Sequence, residues 1–348
     1  MRFLGIPSDS TLELYKACSS GVGSKEQKDR LANYIERVVN ASDIYKLRCE
    51  DNQLHILIRE YVAKNKLHTV PYVSKKEFKL LYEYQTQKDR PGRDIYNRLI
   101  VTPQRRCPFC SVGTVKNLDH FIPKAHFPVF AVTPLNLVPS CRDCNMDKKS
   151  DFSTEIREQT LHPYFDNVSD VQWLFAEVVD ESLPPVIEYF VDASSIQSSA
   201  LASKVEAHFS GYDLGNIFMD QAAVRTNEIQ LVCKERFDEE GAEGLKFYLE
   251  EQKKSAEKTY KNSWTVAMFG ALSSSKWYCE EAFQEAKSEL EQLDELQKVC
   301  EICKGKTVLD CQFCKPYHSN DCKVCSGTFT MTSSDCPECH GLGFIECN

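Results

Sequence analysis

Apolar residues recur at helical spacing through the first part of the chain. Between residues 26 and 70, two stripes of apolar residues repeat at intervals of three and four, which predicts amphipathic helices packed on a core. The stripes are Leu31, Tyr34, Ile35, Val38 and Val39, and then Leu54, Leu57, Ile58, Tyr61 and Val62. A third helix is predicted over residues 74–87, because the Pro91-Gly92 pair beyond it stops helical structure.

The rest of the chain changes character twice. Residues 107–150 hold strand-like pieces, prolines and two cysteine pairs, whereas residues 152–298 return to mostly helical patterns. Within the latter, Leu183-Pro184-Pro185 predicts a turn and the VIEYFV segment after it a short strand. Residues 262–283 predict a buried helical pair, and residues 280–298 predict a long acidic helix.

The composition is that of an ordinary globular protein, with 348 residues, 42% hydrophobic and 27% charged, so we expect about two domains or three. No run of 18 apolar residues occurs, and the start MRFLGIPSDS lacks the pattern of a secretory signal. We therefore expect a cytoplasmic protein with no membrane association. The net charge of -9 disfavours a protein that coats nucleic acid with its whole surface, but it leaves room for a local basic site.

Cysteine is the unusual residue, because twelve of the 17 cysteines form six Cys-x-x-Cys pairs. In a reducing compartment such pairs bind zinc, and four thiolates for each ion predict three structural zinc ions, with a disulfide framework as the alternative. The pairs are Cys107 and Cys110, Cys141 and Cys144, Cys300 and Cys303, Cys311 and Cys314, Cys322 and Cys325, and Cys336 and Cys339. The remaining five, which are expected to be small buried residues, are Cys18, Cys49, Cys233, Cys279 and Cys347.

Polar residues crowd around the first two cysteine pairs. A zinc ion on these four cysteines would tie together the ends of a loop of about 30 residues, which is a common arrangement of structural zinc. Asp119, His120 and Asn136 lie in this loop, and Asn145 follows the last cysteine. The pattern predicts a site held in shape by zinc, while a zinc ribbon with ordinary polar loop residues is the alternative.

The residue types at this predicted site favour phosphodiester hydrolysis. Asp119 and Asn145 offer oxygen ligands suited to Mg²⁺ or Mn²⁺, and neutral His120 can take a proton from water. In a regular strand, neighbouring residues such as Asp119 and His120 point to opposite faces, so both reach one site only if the strand bends or ends there. A helix that begins near Cys141 would place Asn145 and Lys148 on the same face as the zinc ligands.

Basic residues accompany this segment. Between residues 88 and 106 the chain carries six of them, which either contact phosphate or form a solvated face. Our predicted nucleic-acid contacts are Arg105, Arg106, Lys124, Lys148 and Lys149.

The order Cys-x-x-Cys, Asp-His, Asn, Cys-x-x-Cys-Asn resembles the HNH (ββα-metal) endonucleases, in the form that ends in asparagine. The resemblance covers about 45 residues and implies strands near residues 115–121 and 136–138, with a helix from about Arg142. It implies that His120 is the general base, that Asp119 and Asn145 bind the catalytic metal, and that Asn136 holds the His120 loop. The flanking segments LDHFIPKAHFP, LHPYFD and NSWTVAMFGALSSSKWYCEEAF resemble larger bacterial HNH proteins of Septu-type phage-defence operons, which implies DNA as substrate and an ATPase partner.

The last 50 residues carry the other four cysteine pairs, in repeats such as CPECHGLG. They resemble the cysteine-rich region of DnaJ-type co-chaperones, which implies that repeats one and four share one zinc and repeats two and three the other. Sequential pairing remains open. A segment this short has little apolar core, so the metals would stabilise it as a cap or as a docking surface. A co-chaperone function has little support, since no HPD tripeptide is present.

The predicted fold is therefore mainly α, with an embedded ββα-metal (HNH) motif and a small C-terminal zinc module. The predicted segments are a helical region at 1–104, the HNH motif with its zinc at 105–151, a second helical region at 152–298 and the double zinc module at 299–348. The predicted function is a metal-dependent endonuclease acting on DNA in antiviral defence. The alternative is a non-catalytic zinc adaptor that binds nucleic acid or a partner protein.

Overall fold

The computed structural model describes residues 1–63, 73–101, 103–148 and 152–284. It divides into two compact units, Met1–Ser275 and Lys276–Asn348. In the second unit the described residues include a short π-helix, Trp277–Glu281. The cysteine module predicted at residues 299–348 and most of the acidic helix predicted at residues 280–298 lie outside the described residues.

Six α-helices precede residue 100 in the described part of the first unit. Two of them begin with a capping box, in which a serine side chain accepts the backbone N–H of the glutamate three residues later and that glutamate's side chain accepts the backbone N–H of the serine. These pairs are Ser10 with Glu13 and Ser74 with Glu77. The helices are α1 Thr11–Ser20, α2 Lys25–Ala32, α3 Ile35–Glu50, α4 Leu54–Ala63, α5 Lys75–Gln85 and α6 Arg93–Leu99.

The cysteine-flanked segment forms a short hairpin followed by a helix. Strands β1, Asn117–His120, and β2, Leu137–Ser140, pair antiparallel, with Asp119 opposite Val138 and His120 opposite Leu137. Helix α7, Arg142–Lys148, follows β2 after one residue. Nearly every residue of the two strands is buried, so the hairpin lies inside the unit.

A second hairpin and three helices complete the first unit. Strands β3 and β4 pair antiparallel, and α10 packs against both β3 and α9. The helical run of α9 is bent at Gly241, whose φ of +72° is a conformation that residues with a side chain rarely adopt. The elements are β3 Leu174–Asp180, β4 Val186–Val191, α8 Ser199–Gly211, α9 Leu214–Glu257 and α10 Trp264–Ser274.

Buried Asn262 joins the second hairpin to the start of α10. Its Oδ1 accepts the backbone N–H groups of Trp173 at 2.8 Å and Leu174 at 3.2 Å, and its Nδ2 donates to the carbonyl of Val171 at 2.8 Å. These bonds satisfy backbone groups that burial would otherwise leave without partners. The asparagine therefore sets where β3 begins relative to the helix.

The mainly helical fold is confirmed, as are the predicted third helix and the strand at VIEYFV. The first apolar stripe was predicted as one helix but falls on two, because the chain turns at Asn33 and Tyr34 between α2 and α3. Helix α1 and strand β3 were not predicted. The division into four segments stays a prediction, and none of the described helices is long and apolar enough to cross a membrane.

Histidine 208 predicts how stability changes with pH. Burial lowers the pKa of His208 to about 3, and its Nε2 donates to the carbonyl of Phe109 at 2.9 Å. An unfolded histidine has a pKa of about 6.5, so between about pH 6.5 and pH 3 the unfolded chain binds one more proton at this position. The histidine therefore lowers the free energy of unfolding by about 1.4 kcal/mol per pH unit as the pH falls through this range.

We expect His208→Gln, which keeps an N–H donor but takes up no proton, to flatten the acid side of the stability profile by that amount. Urea unfolding of both proteins at several pH values measures the difference, with the zinc content of each protein determined at every pH. Parallel profiles would contradict the prediction.

Candidate functional site

Four buried cysteines meet at the two ends of the β1–β2 segment. The Sγ atoms of Cys107, Cys110, Cys141 and Cys144 lie within 4.8 Å of one another, and all four thiols are free. Four sulfurs placed tetrahedrally about 2.3 Å from a zinc ion lie about 3.8 Å apart. The sulfurs of Cys110 and Cys141 are 3.9 Å apart, so the cluster fits one zinc ion. Among the described residues it is the one group of three or more such ligands.

Backbone N–H groups and one glycine shape this cluster. Gly113 N–H donates to Cys110 Sγ at 3.3 Å and Cys144 N–H donates to Cys141 Sγ at 3.4 Å, which favours the thiolate form that zinc requires. A Cβ atom added at Gly113 would lie 2.7 Å from the Cβ of Cys141 and 2.8 Å from its sulfur. Only glycine therefore allows the two cysteine segments to come this close.

Helix α7 is tied to the end of β1 by Lys148. Its Nζ donates to Asp119 Oδ2 at 3.0 Å and to the carbonyl oxygen of His120 at 2.7 Å. The Lys148 and Asp119 side chains are only 10% and 11% exposed. Two oxygen atoms at the end of β1 are thus directed at one positive charge, in a place largely shielded from water.

The ring of His120 is buried, and its hydrogen bond defines its tautomer. Nε2 lies 2.9 Å from the carbonyl oxygen of Ala131, and because a carbonyl only accepts, Nε2 carries the proton and the neutral ring has its lone pair on Nδ1. The edge of the Tyr82 ring packs on the imidazole at 4.5 Å between centroids. Burial, with the nearby charge of Lys124, lowers the pKa of His120 to about 3, so the ring is neutral at pH 7.

Asn136 connects three parts of the loop around His120. Its Oδ1 accepts the N–H of Ile122 at 2.8 Å, and its Nδ2 donates to the carbonyls of Ile122 at 3.1 Å and Phe130 at 3.2 Å. Its own carbonyl accepts the N–H of Phe121 at 2.8 Å. Asn136 is fully buried, so these bonds are shielded from competition with water.

Asn145 lies on α7 between Cys144 and Lys148. Its backbone N–H donates to the carbonyl of Cys141 at 3.3 Å, and the residue is partly exposed. Residues three apart on a helix are neighbours on its surface, so the amide of Asn145 and the ammonium of Lys148 share one face. The Asn145 side chain has no hydrogen-bond partner within the described ranges.

Of the predicted nucleic-acid contacts, two lysines contact acidic side chains of the protein and two arginines are exposed to solvent. The Nζ of Lys124 lies 3.6 Å from Glu83 and over the ring of Tyr82, and Lys148 is engaged with Asp119. Arg105 and Arg106 are exposed beside the cysteine cluster, where Arg106 donates to the carbonyl of Val112. Lys149 lies outside the described residues.

The structure brings some of the predicted residues together and leaves others apart. The Lys148 ammonium bonds both the carboxylate of Asp119 and the backbone carbonyl of His120. Asn136 bonds the backbone of Ile122, two residues after His120. No described hydrogen bond joins the imidazole of His120 to the carboxylate of Asp119 or the amide of Asn145.

Ala131 contacts His120 and Tyr45 contacts Asn136, and neither residue was predicted from the sequence to belong to the site. Ala131 contributes only its carbonyl, which no sequence pattern reveals. Tyr45 lies on the buried face of α3, where an aromatic residue is ordinarily a packing residue.

A cavity of about 300 Å³ adjoins Lys148 on the side of residues Phe121 and Ile122, which follow β1 directly. Phe152, Gln159 and Tyr212 are among its other lining residues. The cavity therefore has both aromatic and polar walls next to the buried ammonium.

Comparison with known proteins gives one similarity without a stated activity. The chain is 29% identical over 236 residues to "Protein ea31" of Escherichia phage lambda, which covers 66% of this chain and 79% of that protein. No protein-family model matches the sequence, and no solved structure matches it. The support for a function therefore comes from the residues of the site.

We expect Gly113→Ala to weaken zinc binding, because the added methyl group collides with Cys141. Overpacking of this kind costs about 1–3 kcal/mol. Gly23→Ala is the matched control, since a Cβ atom at Gly23 meets nothing within 4 Å. Zinc release to a colorimetric chelator and the melting temperature measure the effect. Equal zinc retention by the two variants would contradict the proposed packing of the cluster.

Proposed function

We propose that this protein is a metal-dependent HNH-type endonuclease that hydrolyses phosphodiester bonds in DNA. The observation that carries the proposal is the position of helix α7, which the Lys148 hydrogen bond to the carbonyl of His120 holds against the end of β1. The helix that bears Asn145 therefore lies against the strand end that bears Asp119 and His120. Two antiparallel strands followed by a helix, with four converging cysteines at the two ends of this segment, support the same assignment.

His120 is the proposed general base. With its proton on Nε2 and donated to Ala131, the imidazole is held in one orientation and Nδ1 is left to take a proton from the attacking water. Asp119 and His120 are both paired in the regular register of β1, so the strand directs their side chains to opposite faces, and a phosphate that meets both must lie at the end of the strand.

Asp119 and Asn145 are the proposed ligands of a catalytic Mg²⁺ or Mn²⁺. Their carboxylate and amide oxygens are the donors that these ions prefer, and the Lys148 ammonium beside Asp119 is consistent with a place that accepts positive charge. A divalent ion held by these two residues would neutralise charge that develops on the phosphoryl and departing oxygens. Once a metal ion replaces the Lys148 ammonium at Asp119, Lys148 is free to meet the phosphate as a second positive charge.

DNA as substrate and an ATPase partner follow from the resemblance to phage-defence HNH proteins, and both are part of the proposal. The net charge of -9 supports weak cleavage by the protein alone, because an acidic protein repels DNA until a partner binds. A single site of this kind cuts one strand, so we expect nicked circles before linear plasmid.

A non-catalytic zinc adaptor is the second candidate, and two contacts favour it. Asp119 is neutralised by Lys148, and the His120 ring is buried with its Nε2 engaged. In an adaptor, all these groups would serve only to stabilise the hairpin. Cleavage activity distinguishes the two candidates.

We expect His120→Ala to lower the rate of plasmid nicking with Mg²⁺ or Mn²⁺ by about 10²–10⁴-fold, which is the usual contribution of a general base. Zinc content should remain that of the wild type. His126→Ala is the matched control, because this histidine is exposed in the same loop. Nicking by His120→Ala at the wild-type rate would reject the mechanism, and no nicking by any of the three proteins, with or without the partner, would favour the adaptor.

A further inference from the structure

Helix α3 brings a tyrosine from far along the chain into contact with Asn136. The hydroxyl of Tyr45 lies 3.3 Å from Asn136 Oδ1 and 3.1 Å from Nε2 of His162. All three side chains are buried, and the Tyr45 ring packs on Phe130 at 5.2 Å between centroids. The three polar groups therefore form a chain that has no access to solvent.

The direction of this chain follows from the tautomer of His162. The backbone N–H of Tyr164 donates to His162 Nδ1 at 3.2 Å, so Nδ1 carries no proton and the neutral ring carries its proton on Nε2. Burial lowers the pKa of His162 well below its usual value, which keeps the ring neutral. The carbonyl of Leu135 and the Tyr45 oxygen are both acceptors for His162 Nε2–H. The Tyr45 hydroxyl, which also lies beside the thiol of Cys49, donates to Asn136.

This donation fixes the orientation of the Asn136 amide. Oδ1 receives two hydrogen bonds, from the Tyr45 hydroxyl and from the Ile122 N–H, while Nδ2 donates to two carbonyls. A flipped amide would direct N–H groups at both donors and its oxygen at both carbonyls. Four buried bonds therefore favour one orientation.

The amide of Asn136 in turn positions the groups on both sides of His120. Ile122 lies two residues after His120, and Phe130 directly precedes Ala131, whose carbonyl holds the imidazole. A shift of Asn136 would move the ring of His120 through both connections.

The far end of the chain rests on a buried ion pair. Asp166 Oδ2 accepts the backbone N–H of His162 at 2.7 Å, and the same carboxylate bonds Lys204 at 3.0 and 3.1 Å. Asn52 accepts a further bond from Lys204 at 3.1 Å. Because the side chains of Lys204 and Asp166 are 4% and 2% exposed, His162 is anchored to a part of the structure that water does not loosen.

We propose that Tyr45 and His162 are positioning residues for His120, which they hold in place through Asn136. This inference rests on the proposed nuclease function. Catalysis would then require Tyr45 from α3 and His162 from the segment after α7, although both lie outside the segment 105–151 that resembles the HNH motif.

The first test is Tyr45→Phe in the full-length protein, which removes the hydroxyl and keeps the ring that packs on Phe130. We expect kcat for plasmid nicking to fall by about ten- to a hundredfold with KM unchanged, since small misplacements of a catalytic group have effects of this size. Tyr189→Phe is the matched control, because it removes a buried tyrosine hydroxyl that bonds the carbonyl of Trp264 at 3.1 Å, remote in sequence from the motif. Its kcat should equal that of the wild type.

A second readout does not require cleavage. Hydrogen exchange at the Ile122 amide, which donates to Asn136, should become faster in Tyr45→Phe and stay unchanged in Tyr189→Phe. Faster exchange in a protein that never cuts DNA would overturn the proposed function but support the inferred contact. Unchanged exchange together with unchanged kcat would overturn the positioning role.

His162 provides a variant pair should Tyr45→Phe fold poorly. His162→Gln retains an N–H donor for Tyr45, whereas His162→Leu removes it. We expect the glutamine variant to keep kcat within a few-fold of the wild type and the leucine variant to lose as much as Tyr45→Phe. Equal activity of the two variants would contradict the directional chain.

Discussion

Four sulfur atoms hold together the part of the molecule on which every other contact at the candidate site depends. Strands β1 and β2 have only four residues each, and a two-stranded hairpin of this size is marginally stable in water. The cysteines on either side of the hairpin converge within 4.8 Å, so one zinc ion bound there would close the loop between them. Gly113 permits this approach, and α7 begins directly after a cysteine ligand.

The surrounding helices supply what the hairpin lacks. Tyr82 of α5 packs on the His120 ring and donates to the carbonyl of Leu118, while Tyr45 of α3 reaches Asn136. His208 of α8 bonds the carbonyl of Phe109, between two of the cysteines. The hairpin is thus a small buried element inside a helical body, and both its apolar residues and hydrogen bonds from three helices fix its position.

The local part of this arrangement could be predicted from the sequence, because spacing carries it. Cysteine pairs, a strand that ends near Pro123 and a helix from about Arg142 are all features of neighbouring residues. The partners from elsewhere could not be predicted. Tyr45 lies in an apolar helical pattern that packing alone explains, Ala131 acts through its backbone, and Lys204 is a lysine in the core. Helix α1 did have a signal, the capping box at Ser10 and Glu13, and β3 had none, since the LFAEVVD segment shows no clear alternation.

Lys148 is the residue for which sequence and structure differ most in meaning. Its spacing from Asn145 predicts a phosphate contact, whereas its ammonium lies against the carboxylate that the hydrolytic mechanism assigns to a metal ion.

The most direct test is a crystal structure of the protein with Mn²⁺, using anomalous scattering to locate the ion. The mechanism predicts a manganese peak within coordination distance of Asp119 and Asn145, with Lys148 displaced from Asp119. Saturating Mn²⁺ with no peak at Asp119 and the Lys148 contact intact would contradict it.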